Sequence, residues 1–247
     1  MKKLLLFLLM LNLSLFAQTI TIAVAANVSY AMDELKAEFI KTHPETKVRI
    51  ALGSSGKLTA QIKNGAPYGL FMSANMKYPQ ALYEDHLTTT KPVVYAQGAL
   101  ALLSVRDRDF SKGMNLLTEP SIKKIAVANP KTAPYGIATK EALENAGIYS
   151  EVQSKFVFGE SISQTVSYAV TAAEIGIIAK SSLYSSKMKR FKEGVNWSSV
   201  DTNLYAPIQQ GIVLLKEADN INAYQEFYDF ILSEKAKAIF MTYGYTI

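Results

Sequence analysis

The chain contains no cysteine. Disulfides, thiolate metal sites and a cysteine nucleophile are thereby excluded, as is a lipid-modified N-terminal cysteine. Histidine is scarce: only His43, in "KTHPET", and His86, in "YEDHLTT", are present. Both read as loop residues, so a Ser-His-Asp triad or a histidine-rich metal site is poorly supplied. No large charge surplus exists either. Without Lys2 and Lys3 the 26 basic residues fall to 24, against 21 acidic ones. Such a balance is no nucleic-acid footprint. Beyond the N-terminus no apolar segment is long enough to span a bilayer, for which a helix needs roughly 20 residues.

What the N-terminus does hold is "MKKLLLFLLMLNLSLFAQT". Two lysines precede an apolar run, Leu4 to Phe16, and a small residue, Ala17. This pattern predicts a cleaved signal peptide over 1–17, with a mature chain starting near Gln18 and a periplasmic location. The remaining residues, about 230, suffice for one large core or two lobes of about 100 each.

Strand and helix patterns alternate along the mature chain. "QTITIAVAAN" reads as a buried strand. "VSYAMDELKAEFIKTHP" follows as a helix with Val28, Met32, Leu35 and Phe39 on one face. The strand "TKVRIAL", the short helix "GKLTAQIKNG", the strand "YGLFMSAN" and the helix "MKYPQALYEDH" come next. After a longer extended run, "KPVVYAQGALALLSV", the alternation restarts at "KKIAVANP". Near the end "YAPIQQGIVLLK" is another strand, and "NINAYQEFYDFILSEKAKAIFMTYGY" reads as one helix. Two successive alternations predict an α/β protein of two similar lobes with mainly parallel sheets. Approximate bounds are 18–95 with 205–247 for the first lobe and 96–204 for the second.

Ligands of open parallel sheets sit at the carboxyl ends of strands. Four strand-to-helix turns here are rich in small or polar residues: "AANVSYAM", "GSSGKL", "NPKTAPYGIA" and "FGESISQT". Two fall in each lobe. Each offers backbone N–H groups at a helix start, where partial positive charge favours an anion. If the lobes face each other, the four converge on one cleft. The Gly-Ser turn is not a P-loop. Only Ser54 and Ser55 separate Gly53 from Gly56, and Leu58 follows Lys57. A different enzyme pattern can be traced through the same region: Ser54-x-x-Lys57, "SAN" at 73–75 and "KTA" at 131–133, the three elements of serine penicillin-binding enzymes. The spacing of Ser54 and Ser73 and the Ala133 in place of glycine argue against that acyl-transfer reading, which stands as the alternative.

In this order, the four turns resemble those of the periplasmic molybdate-binding proteins of ABC importers. "GSSGKLTAQIKNGAPYGLFMSAN" carries the most specific part of the likeness; "AVAANVSYAMDEL", "VANPKTAPYGIATKEAL", "FGESISQTVSYAVTAAEIGI" and "FYDFILSEKAKAIFMTYGY" support it. The resemblance implies a two-lobed periplasmic binding protein fold of type II that closes on a tetrahedral oxyanion without catalysis. It implies molybdate or tungstate as ligand, no cofactor, a membrane permease as partner, no nucleic acid and a monomer. A binding protein for another oxyanion, such as sulfate, is the remaining variant. By motif position the oxyanion would be held at Asn27, Ser55, Tyr135 and Ile162, with Ala26 and Ser54 as weaker candidates. Ser55 would give its hydroxyl and N–H, Tyr135 and Ile162 their backbone N–H. Asn27 could turn its amide nitrogen inward. No Asp or Glu falls at these positions, so the site reads as one of donors only. Lys57 and Lys131 read as solvated surface charge. Two positions depart from the family pattern: Ala179 where some members have a tyrosine, and Gly69 where an aspartate is common.

Overall fold

The computed structural model describes residues 18–247; the expected signal peptide, 1–17, lies outside them. Ten strands form two five-stranded sheets. The first half of the chain gives β1 (Gln18–Ala25), α1 (Ser29–Ile40), β2 (Thr46–Gly53), α2 (Ser55–Lys63), β3 (Leu70–Ser73), α3 (Lys77–Glu84) and β4 (Val93–Gly98). The second lobe contributes β5 (Leu100–Leu103), β6 (Ile125–Ala128), α4 (Pro134–Asn145), α5 (Tyr149–Val152), β7 (Phe156–Gly159), α6 (Ile162–Thr171), β8 (Ile175–Ala179) and β9 (Trp197–Ser199). The chain then returns as β10 (Ile208–Leu214), α7 (Asn222–Leu232) and α8 (Glu234–Thr242).

The two sheets repeat one plan. Their orders are β2-β1-β3-β10-β4 and β7-β6-β8-β5-β9. In each, three parallel strands come from one βαβαβ run, and an antiparallel strand follows: β10 against β3, β5 against β8. Each sheet is therefore mixed. The first lobe gives up its fourth strand position to a segment that has already passed through the second lobe. The step between sheets falls at Ala99, since β4 runs on to Gly98 in the first sheet. What reads as one extended run, 91–105, is thus two strands in two sheets.

Both faces of each sheet are covered, which explains why the strands read as continuous apolar runs. Along β1, Ile20, Ile22 and Val24 pack with α1, α7 and α8, whereas Ala23 faces Leu58 and Ile62 of α2. Truncating a fully buried residue such as Leu35 or Phe39 costs about 2–5 kcal/mol in such a core. The C-terminal segment, expected as one helix, is two. Ser233 adopts extended backbone, φ −72° and ψ 157°, and its hydroxyl accepts from Ala236 N–H at 3.3 Å. A serine that caps the following turn can break a helix even where the apolar stripe continues. The last residues then close the open edge of β4, through paired backbone bonds between Gln97 and Thr246 at 2.7 and 3.0 Å.

Gly69, the departure from the family's aspartate, is accounted for by packing. A Cβ there would run into the Tyr224 ring. The Tyr224 hydroxyl in turn accepts from Thr21 N–H at 3.0 Å. An aromatic ring thus fills the place a side chain at 69 would take. Gly69→Ala is expected to destabilise the protein by about 1–3 kcal/mol through overpacking. In a double-mutant cycle with Tyr224→Ala, followed by urea unfolding, most of that cost should vanish. A cost undiminished in the Tyr224→Ala background would place its origin elsewhere.

Candidate anion site between the lobes

The four turns singled out in the sequence meet. Asn27 lies in a short 3-10 turn, residues 26–28, that runs into α1. Ser55 is the first residue of α2, Tyr135 follows Pro134 at the start of α4, and Ile162 opens α6. All four lie past the carboxyl ends of parallel strands: β1, β2, β6 and β7. Together with Ala26, Ser54 and Ala74 they line one small cavity. Asn27, Ser54, Ser55, Tyr135 and Ile162 are each at most 3% exposed. The lining holds no charged side chain.

The chemistry of the lining is set by helix starts. First-turn N–H groups have no acceptor within their own helix, and the helix dipole adds partial positive charge there. Capping side chains, which would use up these donors, are largely missing: of the helices that open on the cavity only α6 has one, with the Ser161 hydroxyl accepting from Gln164 N–H at 3.3 Å. At α2 the capping position is occupied by Ser54, a strong capping residue type. Its hydroxyl nonetheless makes no cap bond and is buried without a partner. The neighbouring Ser55 hydroxyl accepts from Ala74 N–H at 2.9 Å, which leaves its proton free to point at a ligand.

Asn27 is oriented from far away. Gln210 Nε2 donates to the Ile208 and Ala74 carbonyls at 2.9 and 3.4 Å, so its Oε1 faces the other way. Asn27 Nδ2 donates to that Oε1 at 2.8 Å and to the Tyr245 hydroxyl at 2.9 Å. The Tyr245 and Ser181 hydroxyls donate to the Asn27 carbonyl at 2.9 and 3.2 Å. The amide nitrogen expected to turn inward is therefore held by two protein acceptors. Asn27 Oδ1 is buried without a partner, an acceptor that a reading of donors only did not contain. Gln210 and Tyr245 carried no local signal: a glutamine on a strand and a tyrosine at the chain end look ordinary until the fold joins them to Asn27. Burial pushes the Tyr245 phenol up to about 12 and raises Tyr95 and Tyr135 as well, so near neutral pH none of these rings brings a negative charge.

Ala179, Lys57 and His43 lie outside the lining. Ala179 ends β8, fully buried, with no tyrosine hydroxyl at its place. Lys57, expected as solvated charge, pairs with Glu160 at 2.7 Å across the two lobes and not with Ser54, so the Ser-x-x-Lys pattern has no base in place. His43 stacks on Phe39 with centroids 4.3 Å apart. Among the described residues no cluster of His, Asp and Glu is fit to hold a metal ion.

A two-lobed frame with a small uncharged cavity at converging helix starts is the build of a solute receptor. A family profile described as "Bacterial extracellular solute-binding protein" matches residues 20–246, and the chain belongs to that family. Within it, the chain groups with the ModA proteins. It is 36% identical over 226 residues to the molybdate-binding protein ModA of Rhodobacter capsulatus, covering 90% of this chain and 86% of that one. It is 33% identical over 231 residues to the ModA of Azotobacter vinelandii, covering 93% and 90%. The solved Azotobacter vinelandii periplasmic molybdate-binding protein superposes with a TM-score of 0.84 at 29% identity, over 92% of this chain and 99% of that one.

The two serines are expected to differ in the ligand-free protein. Ser55→Ala strands the buried Ala74 N–H and should cost about 1–3 kcal/mol. Ser54→Ala removes a hydroxyl that has no partner and should leave stability within about 0.5 kcal/mol of the parent. Urea unfolding of both variants without added anion checks this; equal losses would show that the Ser55–Ala74 bond is not the discriminating one.

Proposed function

We propose that the mature protein is a periplasmic receptor that captures molybdate, and tungstate likewise, and hands it to the permease of an ABC importer. The observation that carries this reading is the convergence of four helix starts from two lobes on one small cavity without a charged side chain. A buried dianion can be held there by oriented N–H groups and hydroxyls, without a matching cation. In this reading Asn27, Tyr135 and Ile162 give backbone N–H groups, and Ser55 gives both its N–H and its hydroxyl. Ala26 and Ser54 are supplementary donors. The names of the ModA relatives supply the identity of the anion. The protein acts as a monomer, binds no nucleic acid, needs no cofactor and carries out no reaction. The acyl-transfer alternative loses its base, because the Lys57 ammonium is engaged by Glu160.

Thermal unfolding of the mature protein against a panel of oxyanions tests the ligand. At a thousandfold excess over Kd a ligand stabilises the folded state by about 4 kcal/mol. At this chain length that raises the midpoint by roughly 8–16 °C. Molybdate and tungstate should each do so. A larger shift with phosphate or sulfate than with molybdate would reassign the anion, and acylation by a labelled penicillin without any oxyanion shift would favour the enzyme.

Calorimetry tests the residue roles. Losing a hydroxyl that bonds a charged ligand costs about 1.5–3 kcal/mol, so Ser55→Ala should weaken molybdate binding roughly 10- to 150-fold. Tyr135→Phe should bind like the parent, because the backbone is the donor there. A large loss in the Tyr135→Phe variant would mean that the phenol touches the anion.

A further inference from the structure

The two lobes touch at a second place, beside the cavity but not part of its lining. Gly56 N–H, on α2, donates to the Thr132 carbonyl of the second lobe at 2.9 Å. The approach is as close as backbones allow. A Cβ on Gly56 would lie 2.9 Å from the Thr132 oxygen, 3.1 Å from its Cα and 2.8 Å from the Tyr78 hydroxyl. Gly56 does not have a positive φ, so its conformation gives no reason for a glycine. In the first turn of a helix alanine is the better helix former. The reason lies across the cleft, in the Thr132 backbone. Next to this bond the Lys57 ammonium meets the Glu160 carboxylate at 2.7 Å, with both side chains about half exposed, 50% and 53%. Gly56 and Lys57 directly follow Ser55, Thr132 precedes the turn of Tyr135, and Glu160 precedes Ile162. The contact is thus built on the same helix starts that enclose the cavity, and it forms only when the lobes come together.

We propose that Gly56, Lys57, Thr132 and Glu160 form a closure latch that sets how long the bound oxyanion is retained. The latch rests on the receptor reading for its ligand, but its own contacts are between protein groups. These are positioning residues. The neutral backbone bond fixes the closed distance, which a side chain on residue 56 would prevent. The ion pair has a further role. Glu160 puts a negative charge beside a cavity meant for a dianion, and Lys57 neutralises it upon closure. Removing Lys57 and removing Glu160 are therefore not equivalent. Loss of Lys57 opens the latch and leaves the carboxylate to repel the anion. Loss of Glu160 opens the latch but frees a cation that attracts it.

The test uses the mature protein with molybdate as probe, followed by stopped-flow fluorescence. Gly56→Ala should unfold at or above the parental midpoint, yet release molybdate faster by about tenfold or more. Its association rate should stay within about twofold. Lys57→Ala and Glu160→Gln should each speed release by roughly two- to fivefold. Association should slow in the first and quicken in the second, and the double variant should release no faster than the worse single one. The lack of native cysteine allows a ligand-independent readout: Ala37→Cys and Ser150→Cys, on exposed positions of the two lobes, carry spin labels. In the ligand-free protein Gly56→Ala should shift the distance distribution to longer values. Parental release by Gly56→Ala together with unchanged label distances overturns the latch, and so do additive effects of the two charge variants. If the parent itself fails to respond to molybdate, the receptor reading is at fault, and the label distances still judge the latch.

Discussion

A first-turn N–H that its own helix cannot satisfy is the constraint on which the rest of this structure depends. One such group is weak. Several of them aimed at one point repel each other unless something negative sits there. To aim four, the protein must end four parallel strands at the same level and start a helix after each. Two of these strands must lie in each lobe, and the two halves must face each other. The repeated strand order, the small residues in the turns and the sparse capping all serve this placement.

The uncharged lining has its own cost, which the buried polar network behind it offsets. Asn27, Gln210 and Tyr245 are almost fully buried, and an amide left unpaired there would cost about 1–3 kcal/mol. Here Asn27 Nδ2 donates to both Gln210 and Tyr245, Gln210 donates on to two backbone carbonyls, and the Tyr245 hydroxyl donates back to the Asn27 carbonyl, so of the two amides and the phenol only Asn27 Oδ1 is left without a partner. Gln210 sits at a bulge in β10. A bulge re-aims a side chain, and this one brings the glutamine to the base of the site. Ser181 adds a bond from the second lobe to the same carbonyl.

Much of this was legible in the residues. Gly53, Ser54, Ser55 and Pro134 mark their turns because small residues and proline punctuate chains for steric reasons. The alternation of strand and helix follows from apolar periodicity, which local sequence carries. What could not be read depends on partners far along the chain. The step at Ala99 lies within an unbroken apolar stretch, so nothing local separates β4 from β5. The direction of the Asn27 amide is decided by residues 183 and 218 positions away. The reason for glycine at 69 is a ring on α7, and the break at Ser233 is a capping choice that leaves the apolar stripe intact. Strand β9 is a short edge strand whose position only the finished sheet defines.

The route of the chain through the two sheets has a consequence for how the molecule is assembled. Every strand of the second sheet lies between residues 100 and 199, so that lobe holds all of its own parts. The first sheet does not. Its fourth position belongs to β10, which inserts between β3 and β4 only after the whole second lobe has been made. Contacts distant in sequence are slow to form, and domains fold as units while the chain emerges. The second lobe can therefore fold early, and the first waits with one edge of β3 open and β4 without its partner strand until residue 214 is available. The lobe that begins the chain is the last to be completed, and until then its open strands are the part of the chain most in need of protection from pairing with another copy.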